Sequence, residues 1–238
     1  MRIALIGYGK MGKAIEQIAL ERGHEIVLRI SDQNLDDFNA ENIKNAEVAI
    51  EFTGPHSALN NVRTLLSWGI PVVCGSTGWT SEIDSVNKLC IDANTAFLYA
   101  SNFSVGVNIF FELNKRLAQL MASHEEYEVS LEEIHHTQKL DAPSGTAITL
   151  AEQVLDAVPH KNKWVNEESV DASDLVIVSK REDPAPGTHR VAYKSEIDDI
   201  EIIHTAHNRK GFATGAVLAA EYIFNKKGIF SMKDVLGL

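Results

Sequence analysis

The chain has 238 residues, 45% of them apolar, with 22 basic side chains against 33 acidic ones and a net charge of −11. That is enough apolar chain for one large domain or two modest ones with real cores, and the acidic balance excludes general nucleic-acid binding, which needs a basic face. No apolar run approaches the roughly 20 residues that span a bilayer, and two cysteines, Cys74 and Cys90, make no disulfide framework and read as reduced core thiols.

Ile3-Ala4-Leu5-Ile6 is a short continuous apolar run, the pattern of a strand buried on both faces. It ends in Gly7-Tyr8-Gly9-Lys10-Met11-Gly12, after which Ile15, Ile18, Ala19 and Leu20 follow at helical spacing up to Gly23. A second strand, 25–30, leads to Asp32. A G-x-G-x-x-G between strand and helix, with an acid at this distance, is a dinucleotide fingerprint: the glycines admit the pyrophosphate and the acid accepts from a ribose hydroxyl. Strand and helix then alternate, with strands at 48–52, 70–74 and 96–100 and helices at 56–68 and 80–93. This rhythm predicts a doubly wound parallel sheet of the Rossmann type. Ligands on such sheets lie at the carboxyl ends of the strands. Those ends carry Gly7 to Gly12, Thr53-Gly54, Gly75-Ser76-Thr77 and Ser101-Asn102-Phe103-Ser104, nearly all small or polar, as a cofactor crevice needs.

After Asn102 the rhythm changes. A long helix is expected over 107–121, then strands at 127–135, 175–179, 189–193 and 200–204, interrupted by one helix over 144–158. The polar stretch 159–174 reads as an exposed loop. The expected organisation is a dinucleotide-binding domain up to residue 103, followed by an α+β domain that carries a mainly open mixed sheet. Residues 1–7 hold no h-region followed by a cleavage site, and the expected location is cytoplasmic.

The most informative stretch is Glu133-Ile134-His135-His136-Thr137-Gln138-Lys139-Leu140-Asp141-Ala142-Pro143-Ser144-Gly145-Thr146-Ala147. Pro-Ser-Gly-Thr before an apolar run reads as a helix start. The N–H groups of Ser144, Gly145 and Thr146 are expected to face outward at the positive end of that helix, forming a cup for a carboxylate or phosphate rimmed by two imidazoles and an ammonium. Ser-Gly-Thr alone is also ordinary capping. His135 and His136 do not read as a chelating pair, because adjacent strand residues point to opposite faces, and no metal is expected.

Taken whole, this stretch matches every fixed position of the pattern E-x-H-H-x-x-K-x-D-A-P-S-G-T-A, and the chain resembles the 4-hydroxy-tetrahydrodipicolinate reductase (dihydrodipicolinate reductase) family. The resemblance runs through Gly7 to Gly12, Phe52-Thr53, Gly75 to Gly78, Asn102 to Asn108, Pro186 to His189, His204 to Arg209 and Phe212 to Ala216. It implies reduction of (2S,4S)-4-hydroxy-2,3,4,5-tetrahydrodipicolinate by NADH or NADPH, with loss of water and hydride addition at C4, in diaminopimelate and lysine biosynthesis. Hydride addition to a conjugated imine builds negative charge on nitrogen, so a proton donor must stand nearby. Lys139 is the candidate donor, His135 the candidate relay, and His136, Ser144, Gly145 and Thr146 the grip on a substrate carboxylate. Gly7, Gly9, Lys10, Met11, Gly12, Asp32, Gly75 to Thr77, Ser101 to Ser104 and, from the resemblance, Arg209 are the expected cofactor contacts. The resemblance also implies that 213–238 return to the dinucleotide-binding domain of 1–103, and that the domain of residues 104–212 binds substrate and assembles a homotetramer through the open sheet.

Two features depart from many members of the family. The first glycine turn is one residue shorter, and no basic residue follows Asp32 in Ser31-Asp32-Gln33-Asn34, which leaves Lys10 and Arg29 as the cations that could meet a 2′-phosphate. Another Rossmann-fold dehydrogenase, of the amino-acid or homoserine type, would need its own catalytic set in place of residues 135–146. A non-enzymatic nucleotide sensor would not need Lys139.

Overall fold

Ile3, Ala4, Leu5 and Ile6 lose essentially all contact with water, as a run without alternation requires, and they form β1 (Arg2–Ile6) at the heart of a parallel sheet in the computed structural model, which describes residues 1–238. In chain order there follow α1 (Lys10–Glu21), β2 (Glu25–Ile30), α2 (Ala40–Ile43), β3 (Val48–Glu51), α3 (Ala58–Ser67), β4 (Val72–Cys74), α4 (Ile83–Asp92) and β5 (Ala96–Tyr99). Next come α5 (Val105–Met121), β6 (Glu128–His135), α6 (Gly145–Ala157), β7 (Lys163–Val165), β8 (Asp174–Arg181), β9 (Gly187–Lys194) and β10 (Asp199–Ala206), and the chain closes with α7 (Lys210–Ile223), β11 (Gly228–Phe230) and α8 (Met232–Leu236). It divides into two compact units, Met1–Val105 with Arg209–Leu238, and Gly106–Asn208.

In the first unit six parallel strands run in the order β11-β5-β4-β3-β1-β2. One face is covered by a cluster that joins Ile15, Ile18 and Ala19 of α1 to Ala213, Ala216, Val217 and Ala220 of α7. The other is covered through Ile43, Val62, Leu65, Leu66, Val86 and Cys90 of α2, α3 and α4. Helices on both faces make the sheet doubly wound. The small residues of α7 let it lie close: a Cβ on Gly215 would overlap the Phe103 carbonyl.

The second unit holds a five-stranded mixed sheet in the order β10-β9-β6-β8-β7, with β9 antiparallel to both β10 and β6, and β8 parallel to both β6 and β7. The alternation of β6 is clean: Val129, Leu131, Glu133 and His135 are buried while the residues between them are not. Helices α5 and α6 cover this inner face through Phe110, Ala118, Leu150 and Val154.

The structure corrects one sequence expectation and adds elements at two places where the sequence shows no pattern. The stretch 159–174 is not wholly an exposed loop. It contains β7, and Lys161 is buried with its ammonium donating to Glu128 (2.5 Å) and to the carbonyls of Ala172 (2.7 Å) and Asp174 (3.0 Å). A lysine can be buried when its three donors are all met, which composition does not reveal. The sheet of the first unit gains a sixth strand, β11, too short to carry a pattern. The segment 35–43, left without structure by the sequence reading, forms a 3-10 turn and α2, the latter capped by Asn39, whose side chain accepts from Glu41 and Asn42 N–H. No helix is long and apolar enough to cross a membrane.

Candidate active site

The strand order of the first unit reverses between β1 and β3, since the chain steps from β1 outward to β2 and returns on the other side. Such a switch point opens a crevice at the carboxyl ends of the two strands. Gly7 (φ +102) stands there, and a Cβ on it would overlap the Phe52 carbonyl at the end of β3. A Cβ on Gly12 would overlap the Gly7 carbonyl, which fixes the tightness of the turn. Gly9 differs: it is exposed, a Cβ there would meet nothing within 4 Å, and as the N-cap of α1 it has no side chain to cap the helix. Two glycines close the turn and the third leaves an uncapped helix N-terminus open to an anion, so these residues fit a dinucleotide pyrophosphate.

Around the turn, Lys10, Asp32, Thr77, Ser101 and Arg209 are exposed, Met11, Gly75 and Asn102 are half-buried, and Ser76 and Ser104 are buried. Phe103 puts its ring into the core against Phe52, 5.5 Å between centroids, so only its backbone remains for a ligand. Arg29 is committed elsewhere: its guanidinium is ion-paired with Glu16 and lies over the Tyr8 ring, whose hydroxyl also donates to Glu16. Glu51, buried at the end of β3, was not singled out from sequence. Its carboxylate accepts from the Thr53 N–H (3.2 Å) and hydroxyl and from the Cys74 thiol (3.2 Å). Burial and this carboxylate push the thiol far up, which makes Cys74 inert.

In the second unit the inner face of the sheet ends in polar residues. His135 is buried on β6 two residues after Glu133, so both point the same way. His189 on β9 sits opposite Glu133 in the antiparallel register. The fully buried Glu133 carboxylate accepts from Ser144 N–H (3.1 and 3.2 Å), Ser179 Oγ (2.8 Å) and Arg181 Nη2 (3.3 Å), and faces His135 Nδ1 at 3.4 Å. Burial works to raise its pKa, but the Ser144 and Ser179 hydrogen bonds outweigh burial and hold it below the usual range. Burial lowers His135 despite Glu133 beside it, and pushes His189 down to about 4.

Glu133, His135 and His189 offer ligand atoms within 4.8 Å of one another, close enough to be weighed as a metal trio. Three donors already occupy the carboxylate, one of them a guanidinium that would repel a cation. The carboxylate is already filled by protein donors and is no anchor for a coordination shell.

Lys139 projects from the segment after β6 with its side chain 21% exposed, and its ammonium is held by both Asp141 oxygens at 2.7 and 2.8 Å. Arg181 pins the backbone of this segment through the carbonyls of Lys139 (3.3 Å) and Asp141 (2.6 Å). Helix α6 begins at Gly145, one residue later than expected, with Ser144 as N-cap accepting from Ala147 N–H at 3.2 Å and Pro143 outside the helix. The Ser144 N–H, expected to face a ligand, is spent on Glu133, and Ser144 itself is buried. At the helix start Gly145 is exposed with nothing within 4 Å of a Cβ there, and Thr146 is half-buried. His136 is half-buried and lies near Asp183, whose carboxyl is held low chiefly by the Thr137 hydroxyl and N–H and further by His136. His204 packs its ring on Phe110, 5.9 Å between centroids, and His207 is exposed.

The structure thus brings His135, Lys139 and the start of α6 together around Glu133 and Arg181, two residues the sequence reading left without a role, and adds His189. The available signal was period two: Glu133 and His189 occupy inward positions on strands whose other inward residues, Val129, Leu131, Val191 and Tyr193, are core. A polar residue in such a place demands partners.

The family model "Dihydrodipicolinate reductase, N-terminus" matches residues 1–103, and "Dihydrodipicolinate reductase, C-terminus" matches 106–236. The chain is 50% identical to the 4-hydroxy-tetrahydrodipicolinate reductase of Christiangramia forsetii over 99% of its own length and 98% of that protein. It is 36% identical to the enzyme of the same name from Methanosarcina barkeri, over 97% of this chain and 83% of that one. Among solved structures, dipicolinate-bound dihydrodipicolinate reductase from Paenisporosarcina sp. TG-14 shares the fold with a TM-score of 0.77 at 23% identity, covering 98% of both chains.

Proposed function

This chain belongs to the dihydrodipicolinate reductase family, and we propose that it carries out that family's reaction, reducing (2S,4S)-4-hydroxy-2,3,4,5-tetrahydrodipicolinate to tetrahydrodipicolinate with loss of water, in diaminopimelate and lysine biosynthesis. The observation that carries the reading is the cup of the second unit, where an ammonium, an imidazole and a helix N-terminus converge. A reduced nicotinamide supplies the hydride when bound. Hydride arrival leaves negative charge on the ring nitrogen, and Lys139 is the proton donor for it, leaving Asp141 to turn toward substrate. His135, neutral because burial lowers its pKa, can take or pass a proton and hold the substrate. Gly145 and Thr146 receive one substrate carboxylate at the positive end of α6, with His136 as a further donor. The dicarboxylate bound in the Paenisporosarcina structure is of the same chemical type. The test is oxidation of NADH or NADPH with enzymatically generated hydroxy-tetrahydrodipicolinate. No turnover with either cofactor would overturn the reading.

Asp32 is exposed at the end of β2, and the nearby Arg29 is occupied by Glu16. A carboxylate accepts from a ribose 2′-hydroxyl and repels a 2′-phosphate. NADH is therefore expected to serve at least as well as NADPH, with Lys10 the remaining cation near the turn. Asp32→Ser should move the ratio of kcat/KM for the two cofactors toward NADPH by about 1–3 kcal/mol, the scale of one charged hydrogen bond. A parent strongly selective for NADPH would show that a residue other than Asp32 reads the ribose.

The outer face of the second sheet exposes Val178 and Ile203, and an uncovered sheet face invites association. We read it as the contact between copies of a homotetramer, which the mass in solution would test.

A further inference from the structure

We propose that His189 is a positioning residue for this reaction: through Ser144 it steadies Glu133, whose carboxylate faces His135 Nδ1 at 3.4 Å, and so it keeps the proton of His135 on Nδ1 and leaves its Nε2 bare. The link to catalysis rests on the reading of the cup as a substrate site; the chain of contacts itself does not.

His189 Nε2 lies 3.1 Å from Ser144 Oγ and 3.8 Å from a Glu133 oxygen. A carboxylate so near favours the proton on Nε2, which then donates to Ser144 Oγ. That oxygen also accepts from Ala147 N–H, and the N–H of the same residue, Ser144, donates to both Glu133 oxygens (3.2 and 3.1 Å), so the ring holds in place the residue that holds the carboxylate. Glu133 stays ionised 3.4 Å from His135 Nδ1, where it draws the ring proton. Nε2 is then the acceptor, beside Gly187, where a Cβ would crowd it at 3.1 Å.

The other charged and titratable groups facing the two rings are Lys139 and Asp141 on the segment after β6, Arg181 on β8 and His204 on β10. Burial lowers the pKa of both rings and favours their neutral forms, so the question at His135 is which nitrogen holds the one proton. His189 also has a cost: its Nδ1 is buried with no partner in the protein. Its inward neighbours on β9, Val191 and Tyr193, fill the core, so an apolar side chain at this position would avoid that cost. What a leucine would lose is the donor to Ser144.

The test uses the full chain labelled with 15N. Long-range proton–nitrogen spectra of the imidazoles report tautomers without any turnover, and His135 is assigned by difference with His135→Asn. The parent should show His135 protonated on Nδ1. His189→Leu should shift it toward a mixture, lower kcat roughly ten- to a hundredfold and move the acid limb of kcat/KM to higher pH, because a Glu133 less firmly held by Ser144 N–H keeps a proton on His135 more strongly. His189→Gln keeps an N–H in reach of Ser144 and should restore most of both. A parent protonated on Nε2 of His135, a leucine variant equal to the parent, or a glutamine variant as impaired as leucine each overturns the proposal; if the leucine variant does not fold, the parent spectrum and the glutamine variant decide. An inactive parent with the Nδ1 tautomer would sink the substrate reading and leave the relay standing.

Discussion

Replacing Lys139 by alanine is expected to lower kcat by roughly 10²- to 10⁴-fold, the range a positioned general acid contributes. The side chain is partly exposed and its ammonium is held by Asp141, two residues away on the same segment, so its loss removes no core contact. The backbone of the segment is held independently by Arg181, whose guanidinium binds the carbonyls of Lys139 and Asp141. The melting temperature should therefore stay close to the parent's while turnover collapses. KM should change less than kcat, because the proton is needed as charge develops on the substrate and not when it binds. Turnover equal to the parent's would remove Lys139 from the role of donor and leave His135 as the remaining group.

Acid should destabilise the second unit well before its carboxylates titrate. His189 has its pKa pushed down to about 4 by burial, against an unfolded value of about 6.5. Between those values the unfolded chain takes up a proton that the folded chain refuses. The contribution is fully present above pH 6.5 and is lost as pH falls toward 4, on the order of 3 kcal/mol for this one ring. Burial lowers His135 and His204 as well, so both push in the same direction. Glu133, held low by its hydroxyl donors, stays ionised through the window and adds nothing there. Denaturant midpoints should fall steadily from pH 7 to pH 5, and His189→Leu should flatten part of that slope. Equal midpoints at the two pH values would show that the rings are hydrated enough to take up protons in the folded state.

The first unit was legible because its signals are local. The run Ile3 to Ile6 has no alternation because both faces of its sheet are covered, and Gly7 and Gly12 are glycines where the turn demands close approach. The alternation of β6 likewise fixes which residues face inward, and with the motif it located His135, Lys139 and the start of α6. These properties depend on residue type and on spacing within a few residues, and the chain states them wherever it goes.

What only the tertiary structure decided is which buried polar atoms meet. Ser144 read as an open donor to a ligand, yet Glu133 lies beneath it and takes its N–H. Arg29 read as a free cation for a phosphate, yet Glu16 from the neighbouring helix neutralises it. Lys161 read as part of a solvated loop, yet two carbonyls and Glu128 surround its ammonium. Period two marked His189 as an inward polar residue, but only the register of β9 against β6 set it opposite Glu133. Each case turns on strands or segments distant in sequence. A side chain's own chemistry says that it must find a hydrogen-bond partner once buried, whereas the identity of that partner follows from strand register and packing, which no local pattern encodes.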